Sequence, residues 1–175
     1  SPQLIFSDAD LDKALPVVVK AIIQHAGQTC SACSRILVQK SIYDEFMTQV
    51  ASQFGKVRVG TPDMDLDCGP VMNGKQQRLV QGFRTEAIES GIELLAEGSF
   101  ADGLDQNGYW IQPALFGNVP GDHRLACDEV FGPVLTAIPF DDEADAIKLA
   151  NATEYGLVGS VWTKDGDRQQ RVAKR

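Results

Sequence analysis

With 175 residues, 43% hydrophobic and 23% charged, the chain has an ordinary globular composition and enough length to bury a core without disulfide or metal staples. A net charge of −8, a pI near 4.7 and scattered Lys and Arg argue against a nucleic-acid surface. No apolar run approaches the roughly 18 residues of a membrane span, and no signal-peptide pattern opens the chain.

Of the four cysteines only Cys30 and Cys33 are neighbours, poor material for a secreted disulfide framework, so a cytoplasmic setting is expected. The chain has no initiator Met, opens almost directly on a strand pattern and stops at Lys174-Arg175 inside a polar helical pattern. It is expected to be a piece of a longer protein.

Gln3-Leu4-Ile5-Phe6 is a short apolar run, after which Ser7 or Asp8 can cap a helix with Asp10 and Asp12 in its first turn. Leu11, Leu15, Val18 and Ile22 give that helix an apolar face, Pro16 predicts a kink or restart, and Gly27 a stop. Ile36-Leu37-Val38 reads as a buried strand. Ser41 to Asp44 reads as a capping box opening a helix to about Lys56, with Phe46, Val50 and Phe54 inward.

Gly60 to Pro70 is expected to be a loop, followed by a helix from about Gly74 to Ser90, a strand at Ile92 to Leu95 and an exposed loop from Gly98 to Gly108. Tyr109 to Phe116 reads as extended, with Pro113 placing it at an edge or bend. Val134 to Phe140 is a strand, Asp141 or Asp142 caps a helix to about Ala152, Val158 to Trp162 is a strand, and Asp165 opens the last helix. Strands alternating with long helices predict a three-layer α/β/α domain around a largely parallel sheet.

Cys30 is the candidate nucleophile. It lies in the loop Gly27 to Ser34, where Gly27, Ser31 and Ala32 leave room for a substrate, and loops at strand ends are where α/β domains place reacting groups. A lone cysteine is ordinarily a small buried hydrophobe, and the end of a helix disfavours a thiolate, so activation has to come from elsewhere. Cys30-Ser31-Ala32-Cys33 is also formally a CxxC, which keeps a thiol redox or zinc-binding module open. No second ligand pair is visible among His25, His123, Cys68 and Cys127, and the motif follows a helix instead of opening one.

The second cluster is Asp128 to Val134, where Glu129 and Phe131 share a side if the segment is extended. A carboxylate there can accept from ribose hydroxyls and a ring can pack on a flat heterocycle, although for an isolated pair a solvated charge beside a core aromatic is the stronger reading.

Together these segments resemble the catalytic domain of the NAD(P)-dependent aldehyde dehydrogenase superfamily. The motifs are Ser1-Pro2, Asp8 to Leu11, Gly27-Gln28-Thr29-Cys30 through Arg35, Gly60-Thr61-Pro62, Gly69-Pro70, Gly108 to Pro113, Glu129-Val130-Phe131-Gly132-Pro133-Val134 and Tyr155-Gly156-Leu157. They occur in the family's order over residues 1–175, and GQ-x-C with E-x-FGP is the specific pair.

The resemblance implies that Cys30 attacks an aldehyde to give a thiohemiacetal, that hydride leaves to NAD or NADP, and that water cleaves the resulting thioester. It implies that the Cys30 backbone N–H helps hold the oxyanion, that Glu129 holds the nicotinamide ribose and Phe131 lies beside the nicotinamide, and that Gln76 is a further cofactor contact. Cys33, Cys68 and Cys127 are left as structural.

The family's general-base glutamate belongs to a segment E-L-G-G-K-S-P, whose last two residues match Ser1-Pro2. The base, the dinucleotide-binding domain with the asparagine that completes the oxyanion hole, and the C-terminal part of the subunit interface are therefore expected outside these residues. The isolated piece is expected to be inactive and its parent a homo-oligomer with no nucleic-acid or membrane partner. A non-catalytic interaction domain is the remaining alternative.

Overall fold

The computed structural model describes all of residues 1–175. Eight strands form: β1 (Pro2–Ile5), β2 (Arg35–Gln39), β3 (Arg58–Val59), β4 (Glu93–Glu97), β5 (Ser99–Phe100), β6 (Ala114–Gly117), β7 (Val134–Phe140) and β8 (Ser160–Trp162). The six helices are α1 (Leu11–Ile23), α2 (Lys40–Phe54), α3 (Gly74–Glu89), α4 (Arg124–Cys127), α5 (Glu143–Ala150) and α6 (Gly166–Ala173).

The main sheet runs β4-β6-β7-β2-β1-β8, parallel throughout except where β4 meets β6, and β3 pairs with β5 in a small separate ladder. The chain runs from β1 to its neighbour β2, crosses to β4 at the opposite edge, returns through β6 to β7 beside β2, and then crosses to β8 at the other edge. Right-handed crossovers between parallel strands put α1 and α5 on opposite faces, and α2 packs beside α1. Central strands covered on both faces must be apolar on both, and Ile36, Leu37, Val38, Val134, Leu135, Ala137 and Phe140 are all buried. The α/β class with a mostly parallel sheet is as the alternating pattern predicts.

The cap of α1 is not the expected Ser7 or Asp8 but Asp10, because the Asp8 carboxylate is taken up by Thr163, Lys164, Asp165 and Arg168. Asp10, Asn73, Asp142 and Asp165 each accept from a first-turn N–H. Phe46, Val50 and Phe54 are fully buried.

Other expectations give way to tertiary structure. Helix α1 is one continuous element from Leu11 to Ile23 with Pro16 inside it, and the break falls later, where His25, Ala26 and Gly27 take successive left-handed conformations. No capping box forms at Ser41: α2 begins at Lys40, and the Gln39 before it makes no side-chain cap bond but accepts from the Ser7 N–H at 2.8 Å, fastening the β1 end. The extended run at Tyr109 shortens to β6, which lies inside the sheet, with Pro113 just ahead of it. The Gly98–Gly108 loop contains β5, and α4 was not foreseen.

Candidate active site

Ser1, the Cys30 loop, the Glu129 loop and the Tyr155 loop immediately precede β1, β2, β7 and β8, four mutually parallel strands. All four segments therefore meet at the amino ends of the sheet. They enclose a cleft of about 370 Å³ lined by Cys30, Glu129 and Phe131 among others. Parallel sheets more often place ligands at the carboxyl ends. Here that edge holds a polar clamp: the Asp8 carboxylate accepts from Thr163 Oγ1 at 2.7 Å, from the Lys164 and Asp165 N–H groups at 3.1 and 3.2 Å, and from Arg168 Nη1 at 2.8 Å.

The two sequence motifs touch through glycine. Gly27 has φ +67°, and a Cβ there would run into the Gly132 carbonyl, so only glycine lets the Cys30 loop sit on the Glu129 loop. Gly132 in turn packs on the Val80 side chain of α3 with no room for a Cβ. Gln28 ties the same loop outward, its Oε1 accepting from the Met72 N–H at 2.8 Å.

Cys30 itself is exposed. Its carbonyl accepts from Ser1 Oγ at 3.0 Å, while its own N–H makes no hydrogen bond within the chain. An unpaired backbone donor beside an exposed thiol is what a developing oxyanion requires.

Glu129 is exposed and Phe131 half-buried, and both border the cleft. They do so without the extended backbone expected of them, since Phe131 is left-handed at φ +53°. Gln76 is not brought to the cleft wall. Its Nε2 donates to the carbonyls of Val130 and Phe131 at 3.2 and 2.8 Å, and its own N–H is capped by Asn73, so it braces the loop from behind.

Three features were missed at the level of sequence. Cys33 and Cys127, read as structural, line the same cleft as Cys30. Burial pushes the Cys33 thiol up, and Cys127 Sγ donates to the Gly121 carbonyl at 3.4 Å. Arg35 also borders the cleft, 5% exposed, with its pKa lowered by burial. The motif pattern that flags Tyr155-Gly156-Leu157 carries no hint that this segment lines the same cleft as Cys30. Buried Cys68 lies apart, its thiol pushed up to about 11, chiefly by burial. No group of three or more His, Cys, Asp or Glu side chains is placed to hold a metal ion, and no helix is long and apolar enough to cross a membrane.

The Cys30 loop and the E-x-FGP loop are thus locked together by a glycine contact over one cleft. The sequence model of the aldehyde dehydrogenase family matches residues 1–175. The chain belongs to the aldehyde dehydrogenase family. Among aldehyde dehydrogenases it is 37% identical to a betaine aldehyde dehydrogenase of Bacillus subtilis over 177 aligned residues, covering 100% of this chain and 36% of that one. Its fold superposes with TM-score 0.98 and 50% identity on a Burkholderia cenocepacia protein named only provisionally as an aldehyde dehydrogenase, covering 99% of this chain and 37% of that one. The betaine aldehyde dehydrogenase of Staphylococcus aureus, solved in complex with NAD+, matches with TM-score 0.93 and 37% identity over 99% of this chain and 35% of that one. The chain thus spans a little over a third of the length of these aldehyde dehydrogenases.

Proposed function

We propose that residues 1–175 are the catalytic domain of an NAD- or NADP-dependent aldehyde dehydrogenase that oxidises an aldehyde to a carboxylic acid through Cys30. The single observation that carries this is the convergence of the exposed Cys30 thiol, its unpaired N–H, Glu129 and Phe131 on one cleft.

Cys30 Sγ adds to the aldehyde carbonyl carbon, and the oxygen that becomes negative is held in part by the Cys30 N–H. Expulsion of hydride from the thiohemiacetal leaves a thioester on Cys30, and water then releases the acid. The nicotinamide, when bound, is the hydride acceptor. Glu129 would accept hydrogen bonds from its ribose, and Phe131 would lie beside the ring. Gln76 would act on the cofactor chiefly by holding the Val130 and Phe131 carbonyls, with its Oε1 left as an acceptor. These residues fit one end of a dinucleotide: they offer a ribose acceptor and an apolar ring but no phosphate cradle.

The remaining parts of the mechanism, including the general base and the rest of the cofactor site, belong on this reading to segments corresponding to the other two-thirds of the relatives' length. Residues 1–175 alone are then inactive. The parent enzyme would be a cytoplasmic homo-oligomer acting on an aldehyde, with the nucleotide-binding domain of the same polypeptide closing over the cleft.

Peptide-resolved labelling with iodoacetamide tests the nucleophile directly. Cys30 is expected to react faster than Cys33, Cys68 and Cys127 in the folded chain. Equal rates at Cys30, Cys33 and Cys127, which share the cleft, would sink the reading.

A further inference from the structure

Arg35 is the first residue of β2 and stands five residues after Cys30. It is almost wholly buried, yet none of the chain's ion pairs includes it. A buried guanidinium without a carboxylate is costly unless its donors are satisfied in another way. Two of them are: Nη1 donates to the Leu149 carbonyl at 3.1 Å and Nη2 to the Ala150 carbonyl at 2.9 Å. Those are the last two residues of α5, where orphan carbonyls and the negative end of the helix dipole favour a cation.

The chain that leaves α5 forms another part of the wall of the cleft that Cys30 lines. Thr153, Glu154, Tyr155, Gly156 and Leu157 all line the cleft. None of their backbone N–H groups donates within the chain, and the one side-chain bond in the segment, Thr153 Oγ1 to the Tyr155 carbonyl at 3.5 Å, is internal to it. The wall therefore depends for its placement on how firmly its root, the end of α5, is held. Arg35 is also the only cationic side chain on a cleft that carries Asp128, Glu129 and Glu154.

We propose that Arg35 is a positioning residue: its fork on the Leu149 and Ala150 carbonyls ties the strand that carries the Cys30 loop to the Thr153–Leu157 wall, and so sets the width of the cleft in which an aldehyde meets the thiol. The inference rests on the reading of Cys30 as nucleophile. Lysine does not reproduce the fork, because its ammonium is a single compact point charge on a flexible stem in place of two donor nitrogens held in one plane.

The test compares wild type with Arg35→Lys and Arg35→Met. Limited proteolysis with a Glu-specific protease, read by mass spectrometry, reports opening of the wall as nicking after Glu154. Both variants are expected to nick there about tenfold faster, from the loss of charged hydrogen bonds, while cuts elsewhere keep their rate. In the full-length enzyme Arg35→Lys is expected to raise the aldehyde KM about tenfold and leave kcat within about threefold, since the wall binds substrate and the thiol is untouched. Unchanged nicking overturns the proposal, as does faster nicking with an unchanged KM, which would make Arg35 a strut without influence on the site. If both variants fail to fold, Arg35 supports the whole domain instead of one wall, and the proposal also falls. Absence of turnover in the wild-type full-length protein would instead remove the Cys30 reading, and is told apart because the nicking result does not depend on it.

Discussion

Gly27 decides whether the site can assemble. It is the last of three consecutive left-handed residues, after His25 and Ala26, and it lies hard against the Gly132 carbonyl. Gly27→Ala combines a disfavoured φ with a collision at the Gly132 carbonyl, a cost of about 2–5 kcal/mol. Urea denaturation measures it, and a loss below about 0.5 kcal/mol would show that the two loops are not locked as described. Cys68 makes a different prediction. Its thiol is pushed up to about 11, chiefly by burial and next by neighbouring Asp67, from the 9.0 of a free thiol. A raised acid stays protonated in the folded chain while the unfolded chain ionises, so stability is intact below about pH 9 and declines as the pH rises to about 11. The decline attributable to this group is about 2–3 kcal/mol. Cys68→Ala is expected to flatten the stability profile over that window, and an identical slope in the variant would contradict the assignment.

Among the elements, those whose pattern is local were legible and those built by distant partners were not. Strand β7 reads directly from Val134 to Phe140 because every residue but Pro139 is buried, and α6 reads from Asp165 because the cap and its donors are two and three residues apart. Strands β3 and β5 have two residues each and exist through partners distant in the chain, β3 pairing both with β5 and, at Val59, with Cys68. The Ser41 box failed because the residue ahead of α2 is recruited by the β1 end, a contact 32 positions away. In the site, Cys30, Glu129 and Phe131 were flagged by motif, whereas the role of Arg35 depends on carbonyls 114 and 115 residues distant that no spacing rule reaches.

The Asp8 clamp is the element-scale counterpart of these long contacts, since it alone joins the end of β1 to the β8–α6 corner through charged hydrogen bonds. Burial opposes the Asp8 charge, but the Thr163 hydroxyl, the local backbone N–H groups and Arg168 outweigh it and hold the carboxyl below its ordinary value. A lowered acid contributes stability above the ordinary carboxylate pKa, and that contribution disappears as the pH falls through the lowered value. Asp8→Ala is expected to cost about 1–3 kcal/mol and to remove part of the acid sensitivity. Hydrogen exchange of α6 checks this, and unchanged protection of Val172 in the variant would contradict the role of the clamp.

For the molecule as a whole, the unusual feature is which edge of the sheet carries the cleft. The carboxyl edge of β1 and β8 is closed by Asp8, Thr163, Arg168 and Glu143, and Arg168 also lies over the Phe6 ring at 4.7 Å. The open cleft is left at the amino edge, where four loops from distant parts of the sequence meet and Cys30 is the exposed thiol. Family membership and this placement lead to one central claim, that Cys30 is the covalent nucleophile of aldehyde oxidation. The most direct measurement is NAD(P)H formation by the full-length protein with a panel of aldehydes, wild type against Cys30→Ala. Turnover in the wild type with a loss of about a thousandfold or more in the variant is the expected result. Retention of turnover within about tenfold by Cys30→Ala would contradict the account.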